Sequence, residues 1–207
     1  KTIKEFNKVT KKNDAVRRCS SEGYYCDKVT IEKLKHFVSK EAFNIDGLGK
    51  KIIEGFWKLR LINFPQDIFK LDYKKIETLE GWGRQSVENL KYSINQKKNI
   101  SLERFIFALG IRHIGLENAK LLSKYFISFL KFQNLSKTKN YDDLLNIDGI
   151  GETQVGSIKS FFANEINIKV LEELGKILII KNFAVNQQSG LLKDKSFLVT
   201  GKLNGIS

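Results

Sequence analysis

Apolar residues recur along the middle of this chain at helical spacing, in stretches that come in pairs. Leu34, Phe37 and Val38 are followed by Ile52, Ile53, Phe56 and Trp57. Tyr73 and Ile76 are followed by Val87, Leu90 and Ile94. Leu102, Phe105 and Ile106 precede Ala119, Leu122 and Phe126, and Tyr141, Leu144 and Leu145 precede Val155, Ile158, Phe161 and Phe162. The i, i+3, i+4 spacing predicts amphipathic helices with these residues on the buried face. Pro65, the single proline, falls between the first and second pairs, where a helix must not run through.

Between the members of each pair lies a glycine segment. The four are Ile45-Asp46-Gly47-Leu48-Gly49, Leu79-Glu80-Gly81-Trp82-Gly83, Leu109-Gly110-Ile111-Arg112-His113-Ile114-Gly115 and Ile147-Asp148-Gly149-Ile150-Gly151. Their closing glycines are separated by 34, 32 and 36 residues, and together they use eight of the fifteen glycines. Such a period marks a repeated unit, here helix, tight turn, helix. A turn this short needs positive φ or close backbone approach, which glycine permits. The apolar residue between glycines (Leu48, Trp82, Ile150) can tuck into the core and pin the hairpin.

The N–H groups of such a turn, and of the first turn of the next helix, point outward at the positive end of a helix dipole. They form a ready seat for a phosphate. Donor side chains follow the turns: Lys50 and Lys51, Arg84 and Gln85, and Thr153, with Arg112 and His113 inside the third. The candidate binding residues are therefore Gly47, Leu48, Gly49, Lys50, Lys51, Gly81, Gly83, Arg84, Gln85, Gly110, Arg112, His113, Gly115, Gly149, Ile150, Gly151 and Thr153. Backbone contacts to phosphate carry no base information, so the expected ligand is duplex DNA of any sequence. A plain helical bundle or a protein-binding repeat scaffold is the alternative.

Charge supports a polyanion without deciding for one. The chain carries a formal +13, and residues 1–40 alone hold eleven basic and five acidic side chains. That favours nucleic acid through counterion release. A Lys-rich proteome would give the same balance with no ligand. No apolar run is long enough to span a membrane. Two cysteines, Cys19 and Cys26, argue against a disulfide scaffold and fit a reducing, cytoplasmic setting. The sequence has two histidines and no Ser-His-Asp, Cys-His or nucleotide-loop pattern, so no catalytic residues are assigned. The chain starts at Lys1 without Met and stops at Ser207 after a strand-like run, so a piece of a longer protein is expected.

Several runs resemble bacterial NAD-dependent DNA ligases. They are Leu34-Lys35-His36-Phe37-Val38-Ser39 with Asn44–Gly49, Phe107–Gly115, and Ile147–Gly151 followed by Ser157-Ile158 and Phe161-Phe162. The resemblance covers nearly the whole chain in family order. It implies a mainly α fold: a zinc-finger-like segment over 1–28, four tandem helix-hairpin-helix motifs in a compact helical domain over 29–186, and a linker with the first strand of a truncated α/β BRCT domain over 187–207. Within that last segment Thr200-Gly201 is either a phosphate site or a strand-ending turn.

The resemblance further implies a monomer that holds nicked duplex DNA for sealing in replication and repair. NAD and magnesium would act in domains outside this chain, which alone is expected to be inactive. The family's nucleophilic lysine lies in Lys-x-Asp-Gly, but here Asn44 and Asn146 stand at that position, so both Asp-Gly pairs read as turns. Zinc stays open. Cys19 and Cys26 make half a site, and where the family has its first knuckle this chain has Lys1-Thr2-Ile3-Lys4. Either the knuckle lies upstream or the finger is degenerate. His36 is a possible substitute ligand, or a surface or core histidine.

Overall fold

The computed structural model describes residues 2–7, 11–19, 24 and 26–184. Two strands, β1 (Thr2–Asn7) and β2 (Lys12–Cys19), pair antiparallel, with Thr2 opposite Cys19 and Asn7 opposite Lys12. Helix α1 (Asp27–Val38) follows, so the boundary expected after residue 28 falls within its first turn. Then come α2 (Lys50–Lys58), a 3-10 helix (Pro65–Lys70), α3 (Tyr73–Glu77) and α4 (Arg84–Gln96). A short strand, β3 (Asn99–Ser101), leads into α5 (Leu102–Ala108), α6 (Leu116–Phe126) and α7 (Phe129–Thr138). A second 3-10 helix (Asp142–Asn146), α8 (Glu152–Ala163), α9 (Glu165–Ile177) and β4 (Ile179–Lys181) complete the described chain. The expected BRCT strand, Leu191–Leu203 with Thr200-Gly201, lies outside the described residues.

The predicted helical faces are the core. Leu34, Phe37, Ile53, Phe56, Ile76, Leu90, Ile94, Phe105, Leu122 and Ile158 are all buried. Leu145 is the exception at 45% exposed. Residues 142–146 form a 3-10 turn rather than an α-helix, so Leu144 takes the inward position and its neighbour faces out. Pro65 does not merely interrupt a helix. It opens the first 3-10 helix, where its fixed φ suits the start, and Asp67 Oδ2 accepts from the Asn63 and Phe64 N–H groups at 2.8 and 2.9 Å.

Aromatic clusters hold each half together. Phe37 stacks on Phe43 at 4.2 Å, and both meet Phe69 edge-on. In the later half Phe126, Phe132 and Phe162 form an edge-to-face chain with 5.4 Å spacings. Helix α9 packs on the first 3-10 helix as well as on α7 and α8, joining the halves. Across that seam Lys70 donates to Glu173, and its ammonium, together with that of Lys176 on the same helix as Glu173, holds the carboxyl down to about 2. The group is solvent-exposed, so screening keeps its contribution small. Arg104 of α5 adds a second tie, donating to the Ala42 and Lys40 carbonyls at 2.8 and 2.6 Å.

Two local features were not legible in the hydrophobic pattern. Strands β3 and β4 pair in parallel, Asn99 with Ile179 through Ser101 with Lys181. Between α6 and α7, Ile127 adopts φ +63, ψ −41 while Ser128 N–H donates to Phe126 C=O at 2.6 Å. That is a γ-turn of the strained hand, on a β-branched residue. The Ile127 carbonyl accepts from Phe183 N–H at 2.7 Å, which anchors the segment after β4.

Gly175 of α9 is a packing glycine. A Cβ there would lie 2.5 Å from Phe129 Cε1, and that ring is wedged edge-on against Phe105 at 5.3 Å. Gly175→Ala should therefore destabilise the chain by about 1–3 kcal/mol, despite alanine's better helix propensity, as read by thermal unfolding followed by circular dichroism.

Candidate nucleic-acid interface

The four glycine segments fold into one recurring turn. In each, an apolar carbonyl accepts the N–H three residues on: Ile45 from Leu48 at 3.4 Å, Leu79 from Trp82 at 3.1 Å, Ile111 from Ile114 at 3.1 Å and Ile147 from Ile150 at 2.9 Å. The third residue of each turn has positive φ: Gly47 +88, Gly81 +80, His113 +60 and Gly149 +88. The second residue does not, which makes these type II turns. Glycine favours that third position. Histidine is one of the few other residues that tolerate it.

This register corrects the sequence reading of the third unit. Gly110, assigned there to the hairpin, belongs to the end of α5, where it takes φ +62 just past the helix. It is half-buried beneath His36, and a Cβ on it would sit 3.3 Å from His36 Cδ2. The residue equivalent to Gly47, Gly81 and Gly149 is His113. His36 itself is spoken for: its Nε2 lies 2.8 Å from the Phe107 carbonyl, and its ring meets Phe107 edge-on.

Burial alternates through each turn. Leu48, Ile114 and Ile150 are buried and Trp82 is half-buried against Phe56, while the glycines beside them are exposed. Burying the apolar residue points the flanking backbone at solvent. The closing glycines 49, 83, 115 and 151 are the N-caps of α2, α4, α6 and α8, with φ of −65, −103, −81 and −111 and extended ψ. Any residue could adopt that backbone. A Cβ would meet nothing within 4 Å at Gly49, Gly83 or Gly115. Neither strain nor internal packing explains these glycines.

Capping sets them apart from other helices of the same chain. Asp72, Ser128 and Asn164 cap α3, α7 and α9 with side-chain oxygens. No side chain caps α2, α4 or α6, and the same holds for α1 and α5, which do not follow a hairpin. The turns also differ in charge. The second turn residue is Asp46, Glu80, Arg112 and Asp148, and the first helical residue is Lys50, Arg84, Leu116 and Glu152, all exposed. Lys51, Gln85 and Thr153 follow, likewise exposed, with Gln85 Nε2 donating to Asn89 at 3.0 Å. A cation at a helix N-terminus opposes the dipole by roughly 0.3–1 kcal/mol, which an anion seated there would reverse. The fourth unit stands apart. It carries two acidic residues, and Gln154 Oε1 already accepts the Gly151 N–H at 3.2 Å.

The turns are brought together in twos. Gly47 lies against Leu90 of α4, and Trp82 packs on Phe56 of α2 at 5.4 Å. Gly149 lies against Leu121 of α6, and His113 Nδ1 is 3.1 Å from Ser157 Oγ of α8. Each turn thus touches the second helix of its partner unit. Ser157, Asn118, whose Nδ2 donates to the His113 carbonyl at 3.0 Å, and Gln154 were not assigned from sequence. Only their distance from the closing glycine could have flagged them.

Cys19 ends β2 and Cys26 precedes α1, both half-buried and not joined by a disulfide. Among the described residues no three His, Cys, Asp or Glu side chains are placed to hold a metal. Two thiols do not make a four-ligand structural zinc site, so the described residues do not fit a finger. Elemental analysis of the purified chain separates the two readings of the cysteines: about one zinc per molecule means an intact site, and none a degenerate one. For the caps, Gly49→Ser and Gly83→Ser should leave the fold intact and raise stability by up to about 0.5 kcal/mol, since serine caps better than glycine. Gly47→Ala should lower it by about 1–2 kcal/mol at φ +88. Thermal unfolding separates the two.

The helix-hairpin-helix motif model matches residues 104–171 of this chain, which hold the third and fourth turns. A DNA ligase of Pelagibacter ubique is 62% identical over 207 residues, all of this chain and 31% of that protein. DNA ligases of Wolbachia pipientis from Culex pipiens and of Rickettsia rickettsii are 44% and 42% identical, over 92% and 94% of this chain and 30% of each. The chain thus spans under a third of the length of these relatives. No helix among the described residues is long and apolar enough to cross a membrane. With relatives matched from end to end of its sequence and a helix-hairpin-helix motif at its second pair of turns, the chain belongs to the DNA ligase family.

Proposed function

We propose that this chain grips duplex DNA by its phosphates, without regard to sequence, as the duplex-holding part of a ligase that seals nicks. One observation carries the reading. The helices after the turns begin at exposed glycines whose backbone is ordinary and whose missing side chain leaves open space. Bare N–H groups at a helix start, with nothing of the chain's own above them, suit a phosphate oxygen. Lys50, Lys51, Arg84 and Arg112 sit where they would add charge to that seat.

The units are unequal on this reading. The first two place a cation at the helix start and the third places Arg112 in the turn. The fourth, with Asp148, Glu152 and its Gln154-bonded Gly151, binds phosphate least. Asp46-Gly47 and Asp148-Gly149 are turn residues, and no described lysine stands in a Lys-x-Asp-Gly setting. Adenylation with NAD, and the magnesium that assists it, belong to other parts of a full-length ligase. This chain's role there is to hold the two ends of a nick in line.

Log affinity for a mixed-sequence duplex should fall steeply with log salt, by roughly one unit of slope per phosphate neutralised. A flat slope in fluorescence anisotropy overturns the reading. Gly49→Ser and Gly83→Ser should each weaken binding about fivefold or more while the protein melts no lower, because the serine oxygen occupies the N–H groups that phosphate would take. Unchanged affinity in both variants would point to a protein-binding scaffold instead.

A further inference from the structure

The third unit is the one whose turn carries side chains. His113 occupies the left-handed position held by glycine in the other three, at φ +60. A β-turn gains nothing locally from that exchange, because glycine reaches positive φ more cheaply. What His113 gains is reach. Its Nδ1 lies 3.1 Å from Ser157 Oγ, six residues beyond Gly151 on α8. Ser157 Oγ in turn donates at 2.9 Å to the carbonyl of Thr153. A serine hydroxyl has one proton. With it given to Thr153, Ser157 accepts from His113, so Nδ1 carries the hydrogen. The chain His113–Ser157–Thr153 thus runs from the third turn into the first turn of the fourth unit's second helix.

In the first pair the corresponding contact is apolar, Trp82 on Phe56, and neither unit is acidic at its helix start. In the second pair the contact is a directed hydrogen bond. Both helices there have an acid in the first turn, Glu117 and Glu152, but of the two units only the fourth adds an acid in its hairpin turn, Asp148, and has its closing glycine N–H taken by Gln154. We propose that the fourth unit is a brace rather than a grip: through the Ser157–His113 bond it fixes the third turn, and with it Arg112 and the N–H groups at the start of α6, in the geometry that receives a phosphate. His113 and Ser157 are positioning residues. This rests on the duplex-binding reading above and divides the work within it.

A double-mutant cycle on duplex affinity tests the brace. The variants are His113→Gly, Ser157→Ala, the two together, and Ser157→Thr, measured on the whole chain at one fixed salt concentration. Ser157→Ala and His113→Gly should each weaken binding about three- to tenfold, and the double variant no more than the worse single. Ser157→Thr keeps a hydroxyl that can donate to residue 153 and accept from His113, so it should bind as the parent does. Gly151→Ser should change affinity less than Gly49→Ser. Loss in His113→Gly alone means that histidine touches DNA directly, and overturns the brace. So do multiplicative losses, equal losses in Ser157→Ala and Ser157→Thr, or no loss at all. If His113→Gly alters the melting temperature, the Ser157→Ala and Ser157→Thr pair decides, since neither changes a turn. Failure of the parent chain to bind duplex in a salt-dependent way would fell the underlying reading first, separately from these comparisons.

Discussion

Everything at the candidate interface depends on one constraint: in each turn, apolar residues flanking exposed backbone must reach the core. Ile45 and Leu48, Ile111 and Ile114, and Ile147 and Ile150 are the first and fourth residues of their turns, and an N–H to carbonyl bond joins each couple. Burying the fourth residue fixes how the turn sits on the bundle. The third residue is then forced into positive φ, and the fifth becomes the start of the next helix. The hydrophobic core therefore sets where the unpaired N–H groups point. A functional surface made of backbone is only as well placed as the side chains beneath it.

The same logic explains why glycine appears twice per turn for different reasons. Gly47, Gly81 and Gly149 answer a conformational demand. Gly49, Gly83 and Gly115 answer none that the chain itself imposes, since their backbone is extended and their surroundings open. Asp72, Ser128 and Asn164 cap α3, α7 and α9, whereas α2, α4 and α6 begin at bare glycines and α1 and α5 also begin without a side-chain cap.

Much of this was legible from spacing alone, because hydrophobic periodicity and paired glycines are both strong local signals. The helices around the turns and nearly all their buried residues follow from it. The third turn misled because a run of Gly110 to Gly115 offers two possible registers, and only tertiary packing against His36 assigns Gly110 to the end of α5. Leu145 misled because a 3-10 turn has a different period from an α-helix. The pairing of units, the Ser157–His113 bond and the β3–β4 ladder are long-range, and nothing in a single sequence encodes which distant polar groups will meet. Over residues 1–28 the described part is a β-ribbon leading into α1.

The parallel pairing of β3 with β4 has a consequence for how the chain is made. The contacts that mate the first two units, Gly47 with Leu90 and Phe56 with Trp82, are complete once residue 96 has left the ribosome. The second two units wait longer. Their first strand, Asn99–Ser101, stays without its partner until Ile179–Lys181 arrives, and the strained bend at Ile127 lacks its Phe183 bond until later still. Synthesis proceeds from the N-terminus and loop closure over such a span is slow. The half that carries the brace is therefore the last to close, and only then does α9 reach the first 3-10 helix of the earlier half.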